Sequence, residues 1–327
     1  MPTVYAALED RLLAASVDDG SWRTIVRLEG RELECVAVSP DEPDRVFVGA
    51  FASGLWRTTN AGQDFGRAWL ADAPGAVTAA AVSPLDSETI WAGTEPSKVY
   101  RSTDAGDTWK LRPGLASLPS ADEWSFPPRP ETHHVRWIEP DPHSRGRLYV
   151  GIEAGALVRT DDAGATWTDH PEGAPRDPHQ IGTDRDDSGR VYVAAGDGYA
   201  ESTDGGERWT FPQTGLDHRY VWSLAVDPAD PEHVLVSAAT SAHRAHDPDG
   251  QNFVYRRLDG HWEQSMDGLP GPDGMARPVL DVGPDGAFYA LTNHGLFRSP
   301  TGDGWHRLPV DWLPTYREQI PQGLAVV

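Results

Sequence analysis

One short motif, Ser/Thr-x-Asp-x-Gly-x-x-Trp, recurs along the whole chain, and this repetition constrains the fold more than any bulk property. Three copies are nearly intact: Ser102-Thr103-Asp104-Ala105-Gly106-Asp107-Thr108-Trp109, Thr160-Asp161-Asp162-Ala163-Gly164-Ala165-Thr166-Trp167 and Ser202-Thr203-Asp204-Gly205-Gly206-Glu207-Arg208-Trp209. A fourth, Thr58-Thr59-Asn60-Ala61-Gly62-Gln63-Asp64-Phe65, exchanges Asp for Asn and Trp for Phe. Three more are eroded but in place, at Asp18–Trp22, Leu258–Trp262 and Ser299–Trp305. The motif is a turn by its chemistry. Its Asp accepts backbone amides, its Gly supplies a positive φ, and its Trp packs between sheets. The repeated carboxylates are therefore expected to form turns, not to do acid–base work.

A second block recurs upstream of each turn. Val36-Ala37-Val38-Ser39-Pro40, Ala81-Val82-Ser83-Pro84, Trp137-Ile138-Glu139-Pro140, Ala225-Val226-Asp227-Pro228 and Asp281-Val282-Gly283-Pro284 each end a short apolar strand. A second strand follows, as in Arg45-Val46-Phe47-Val48-Gly49 or Arg147-Leu148-Tyr149-Val150-Gly151. A third runs into the turn and a fourth begins at the Trp. Four antiparallel strands make one propeller blade, and 33 Gly, 28 Pro and 13 Trp suit many short strands. The expected fold is all-β, a single seven-bladed β-propeller over 1–327. Its blades are expected at 35–70, 77–115, 133–173, 177–216, 221–269 and 278–310, with 3–30 completed by 322–327 as the closing strand. Closure would remove both free sheet edges.

These turns resemble the Asp-box (BNR) repeat of a β-propeller superfamily that includes sialidases, sortilin-type receptors, xyloglucan-degrading glycosidases and the photosystem II assembly factor. The resemblance implies the fold and is nearly silent on activity. A sialidase would imply six blades and an Arg-Ile-Pro segment near the N-terminus, which this chain lacks; its Tyr316-Arg317-Glu318 reads as a loop. The resemblance to seven-bladed members such as the assembly factor is nearer in architecture.

The formal charge is −22, with 50 acidic against 28 basic residues, and Lys98 and Lys110 are the only lysines. Such a surface disfavours nucleic acid and anionic membrane as partners and resembles proteins of high-salt cytoplasm. Cys35, the one cysteine, sits in an apolar run and reads as an inert buried thiol. With no apolar leader or span in view, a cytoplasmic setting is expected.

In a propeller the loops leading into inner strands share one face with those joining second to third strands, opposite the repeated turns. Seven of the twelve histidines, at 133, 134, 179, 218, 243, 246 and 294, map to that face. So do Glu95, Glu153, Asp197, Arg219 and Arg277, and the irregular segment 116–132, with Trp124, Phe126 and four prolines, reads as a stiff flap onto it. The leading expectation is a pocket for a small polar or carbohydrate-like ligand, with His133, Asp197, His218, Arg219, Arg277 and His294 as binding residues. His134, His179 and His218 are candidate ligands for a divalent metal ion. As an enzyme, the chain would use Glu95, Glu153, His134 and His179 for acid–base chemistry on a saccharide, as a glycosidase or lyase, with an Arg for a uronic carboxylate. Trp137 and Trp222 could stack sugars, although packing between blades explains them more simply. A protein-assembly scaffold is the third expectation.

Overall fold

The computed structural model describes residues 2–68 and 75–327; positions 69 and 70, expected at the end of the second blade, lie outside them. The described strands form seven antiparallel sheets, and the fold is a seven-bladed β-propeller. Among the described residues the only α-helix is Ala242–Ala245. Blades are numbered 1 to 7 in chain order, blade 1 holding the N-terminal strands. Pro321–Val326 joins it at Val4–Leu8, with Val4 opposite Val326 and Ala6 opposite Leu324, so the closing strand lies where it was expected. Two blades differ from the four-strand plan. In blades 4 and 5 the outer strand is reduced to a single bridge, Arg159 with Thr168 and Glu201 with Thr210.

The strands group into two compact units. One is Met1–Leu33 with Pro212–Val327 and holds blades 1, 6 and 7; the other is Glu34–Phe211 and holds blades 2 to 5. Burial follows the position of each strand in its sheet. The inner strand Leu33–Ser39 alternates buried and half-buried residues, as a strand with one packed face must. The second strands Leu148–Ile152, Val191–Ala195 and Phe288–Thr292 are buried at every position, which explains their unbroken apolar runs. Each large side chain buried this way contributes about 1.5–3 kcal/mol. Cys35 is buried, and burial pushes its thiol up to about 12, so it is inert as expected.

The repeated turns are built as their chemistry requires. Asp104 accepts from Ser102 Oγ at 2.7 Å and from Thr108 N at 2.8 Å, and Ser102 Oγ in turn accepts from Gly106 N at 2.9 Å. The hydrogen bonds from Thr108 and Ser102 lower the Asp104 carboxyl to about 2, so it stays an acceptor. Gly106 has φ +89°, and a Cβ there would come within 2.7 Å of Phe47 in the preceding blade. The same contact recurs as Leu235 against Gly302. The glycine thus sets the turn and lets the neighbouring sheet approach.

A second regularity concerns the inner strands. Register slips between Val77 and Ala79, Val135 and Trp137, Pro178 and Gln180, and Val221 and Ser223. Each slip leaves one bulged residue: Thr78, Arg136, His179 and Trp222 at the same place in successive blades. A bulge re-aims its side chain. Thr78 uses this to donate to the Val135 carbonyl of the next blade at 2.7 Å; Arg136 and His179 belong to the region described next.

Candidate functional site

Pairing register fixes where the candidates lie. In blade 4, Val135 at the start of the inner strand is opposite Ile152, while Leu148 at the other end is opposite both Pro140 and Thr160. His134 and Glu153 therefore share one edge, and the Asp162 turn occupies the other. Glu95 and Glu153 hold equivalent positions, each two residues after a glycine of the second strand (Gly93, Gly151) that pairs just past the bulge.

In the unit formed by 34–211 these residues meet in a buried ionic cluster. Glu153 is 6% exposed and lies 3.0 Å from His134 Nε2 and 3.7 Å from Arg136 Nε. Burial alone would raise its carboxyl. The hydrogen bond and charge of His134, with the charges of His179 and Arg136, override that and hold it well below the usual carboxylate range. Glu95, 7% exposed, accepts two hydrogen bonds from Arg129, Nε at 2.8 Å and Nη2 at 2.7 Å, and its other neighbour is His134 Nδ1 at 3.6 Å. His134 thus stands between two carboxylates. His179 is buried, with Nε2 3.6 Å from Asp177. His133 is half-buried with its ring edge-on to Trp124, and burial and the His134 charge depress its basicity.

The flap at 116–132 is ordered by its own hydrogen bonds and covers this cluster. Short 3₁₀ turns at Leu115–Ser117 and Pro119–Glu123 lead to buried Trp124, whose indole N–H donates to Ser120 Oγ. Phe126 stands edge-on to His134, ring centroids 4.6 Å apart. Arg129 and Arg136 were not singled out from the sequence. Arg136 is legible only through the bulge, whereas Phe51 follows Gly49-Ala50 as Glu95 follows Gly93-Thr94 and so maps to the same face by its second-to-third loop.

Other candidates do not join the cluster. Asp197 is exposed and accepts the backbone N–H groups of Arg176 and Asp177, a loop-closing role. His218 stacks on Phe253 at 4.0 Å and hydrogen-bonds Tyr255 at 2.6 Å. Both belong to the third strand of blade 6. Arg219 is exposed, and His294 Nε2 hydrogen-bonds the Gly274 carbonyl at 2.8 Å. Arg277, 3% exposed, lies 3.9 Å over the Trp222 ring and donates to His246 Nδ1 at 2.8 Å and to Gln322 at 2.9 Å. Trp222 is therefore a platform for an arginine. Tyr316 is a buried core residue under Arg11, not a nucleophile in an open site. Among the described residues no group of three or more His, Cys, Asp or Glu is spaced to hold a metal ion.

No protein-family model matches the chain, and no curated protein matches it in sequence. Solved structures match it in fold. The GH74 enzyme of Niastella koreensis superposes with TM-score 0.72 at 18% identity over 93% of this chain and 52% of that one. The GH74 xyloglucanase of Xanthomonas campestris gives 0.63 and 20% over 96% and 52%. YCF48 bound to D1 peptide gives 0.61 and 15% over 89% and 87%. The chain thus spans about half the length of these GH74 enzymes and most of the length of YCF48, and at these identities the likeness is one of fold.

Proposed function

We propose that the chain is a binding propeller for a polypeptide segment, using the edge of blades 2 to 5 that carries Glu95, His134 and Glu153. One observation carries this reading: both carboxylates suited to acid–base work are already engaged, Glu95 by two hydrogen bonds from Arg129 and Glu153 by His134 Nε2 at 3.0 Å with Arg136 at 3.7 Å. A glycosidase needs a carboxylic acid that keeps a proton near neutral pH. Glu153 is held in the opposite direction. Paired this way, the two groups shape and charge a surface instead of transferring protons. The small polar ligand expected from the sequence becomes a side chain of a peptide.

Two further points favour it. YCF48 matches over nearly its whole length and is seen with a peptide, whereas the GH74 enzymes are about twice the size of this chain. A charge of −22 attracts basic segments and speeds their encounter. The second reading, hydrolysis of a saccharide, is favoured by the TM-score of 0.72 to a GH74 enzyme. The test pairs a peptide array with xyloglucan and β-glucan oligosaccharides. The proposal expects retention of basic peptides and no release of reducing ends. Hydrolysis that disappears in Glu95→Gln or Glu153→Gln would overturn it.

A further inference from the structure

The flap presents two side chains to the cluster from a single turn. Arg129 N donates to the Phe126 carbonyl at 2.8 Å, closing Phe126-Pro127-Pro128-Arg129, and the two prolines fix its backbone. Phe126 meets His134, and Arg129 meets Glu95. The guanidinium carbon also lies 4.6 Å from the Phe51 ring centre and 4.8 Å from that of Phe126. Glu34 and Glu153 add their field at the same point. A carboxylate edge for a bidentate fork, with an aromatic face beside it, is the seat that suits arginine and not lysine.

The two partners are unequally buried. Glu95 is 7% exposed and Arg129 39%, so the carboxylate belongs to the wall and the guanidinium enters from solvent. Phe51 is wall too, placed by its own blade at the position Glu95 holds in the next.

We propose that Glu95 and Phe51 form a receptor for an arginine side chain, filled in cis by Arg129. The partner is a segment with an aromatic residue three positions before an arginine, which enters by displacing the Phe126–Arg129 turn. This rests on the reading of the chain as a binding propeller and names the chemistry of its partner. The flap is then a tethered copy of that ligand. A short tether supplies an effective concentration in the millimolar range, so a free peptide competes with it in the intact chain. The net charge of −22 draws such basic segments to the surface.

The test uses the full chain and the peptide acetyl-Trp-Ser-Phe-Pro-Pro-Arg-Pro-amide, titrated by calorimetry. Arg129→Ala should bind it at least tenfold more tightly than the unmodified chain. A peptide with Lys for Arg should bind that variant at least tenfold more weakly, and adding Glu95→Gln should remove the gain. Equal affinity of the two chains, or of the two peptides, overturns the proposal. Should Arg129→Ala not fold, the unmodified chain decides. Excess peptide should shift the Arg129 Nε–H resonance, and an unmoved resonance overturns the proposal. A basic peptide that binds without regard to arginine would leave the binding propeller standing and sink this receptor. Saccharide hydrolysis that disappears in Glu95→Gln would strike both.

Discussion

Replacing His134 by alanine removes the group that stands between two buried carboxylates. Glu95 keeps its bidentate partner Arg129, but Glu153 loses its partner 3.0 Å away and retains the influence of His179 and of Arg136 at 3.7 Å. Removing one member of a buried ion pair costs about 3–5 kcal/mol, and the remaining cations place this case near the lower end. The lost edge contact with Phe126 adds on the order of 0.5–1 kcal/mol. The expected loss is therefore about 3.5–4 kcal/mol at pH 7. Urea unfolding should show it as a midpoint lowered by roughly 1 M. The sign with pH follows from Glu153. Its carboxyl is depressed in the folded chain, so its stabilisation is present above the unfolded value near 4.3 and fades as pH falls toward the folded one. The gap between native and variant should narrow below that pH. Adding Glu153→Gln to His134→Ala should recover at least 1 kcal/mol by removing the uncompensated charge. A loss under 1 kcal/mol, or no recovery in the double variant, would refute His134 as the counter-ion of Glu153.

Three other outcomes are expected. Burial pushes the Glu139 carboxyl up to about 7 against the hydrogen bonds from Thr183 at 2.8 Å and Trp137 at 3.2 Å, so ionising it destabilises the fold between its unfolded value and pH 7. Glu139→Gln should raise stability at pH 8 by on the order of 2 kcal/mol, seen as a higher melting temperature, and leave it unchanged near pH 4; an equal effect at both pH values contradicts this. Deleting 322–327 uncovers the Val4–Leu8 edge and removes buried Ala325 and Val326, and should cost more than about 3 kcal/mol in calorimetry, whereas a melting temperature within 2 °C of native, on the order of 1 kcal/mol or less, speaks against closure by this strand. Gly106→Ala forces a Cβ against Phe47 at positive φ and should destabilise by about 1–3 kcal/mol, while Ala105→Gly, which relieves φ +57° one position earlier, should be neutral or stabilising.

The fold was legible because its signals are local. A box such as Ser102–Trp109 makes its hydrogen bonds within eight residues, and second strands such as Leu148–Ile152 advertise burial on both faces by their apolar runs. Closure was legible too, since 322–327 reads as the inner strand that 3–30 lacks. The site was legible only in part. The offsets that bring Glu95, Glu153 and His134 to strand ends were legible, since Glu95 and Glu153 each lie two residues after a glycine of the second strand. Their pairing was not, because it depends on the flap folding back so that Arg129 reaches Glu95 across 34 residues. A count of histidines does not display that the His218 ring packs on Phe253 and Tyr255 of a third strand. The bulge that re-aims Arg136 is a matter of register, and a sequence pattern of alternating residues does not display it.

The account stands on Glu153 being a permanently ionised, paired carboxylate and not a proton donor. Carbon-13 NMR of the glutamate carboxyl groups between pH 4 and 8 reads this directly, with Glu139 as an internal contrast. The account predicts a Glu153 resonance that stays at its ionised position throughout while the Glu139 resonance titrates near 7. A Glu153 resonance that titrates between pH 5 and 7, as a general acid does, would contradict it.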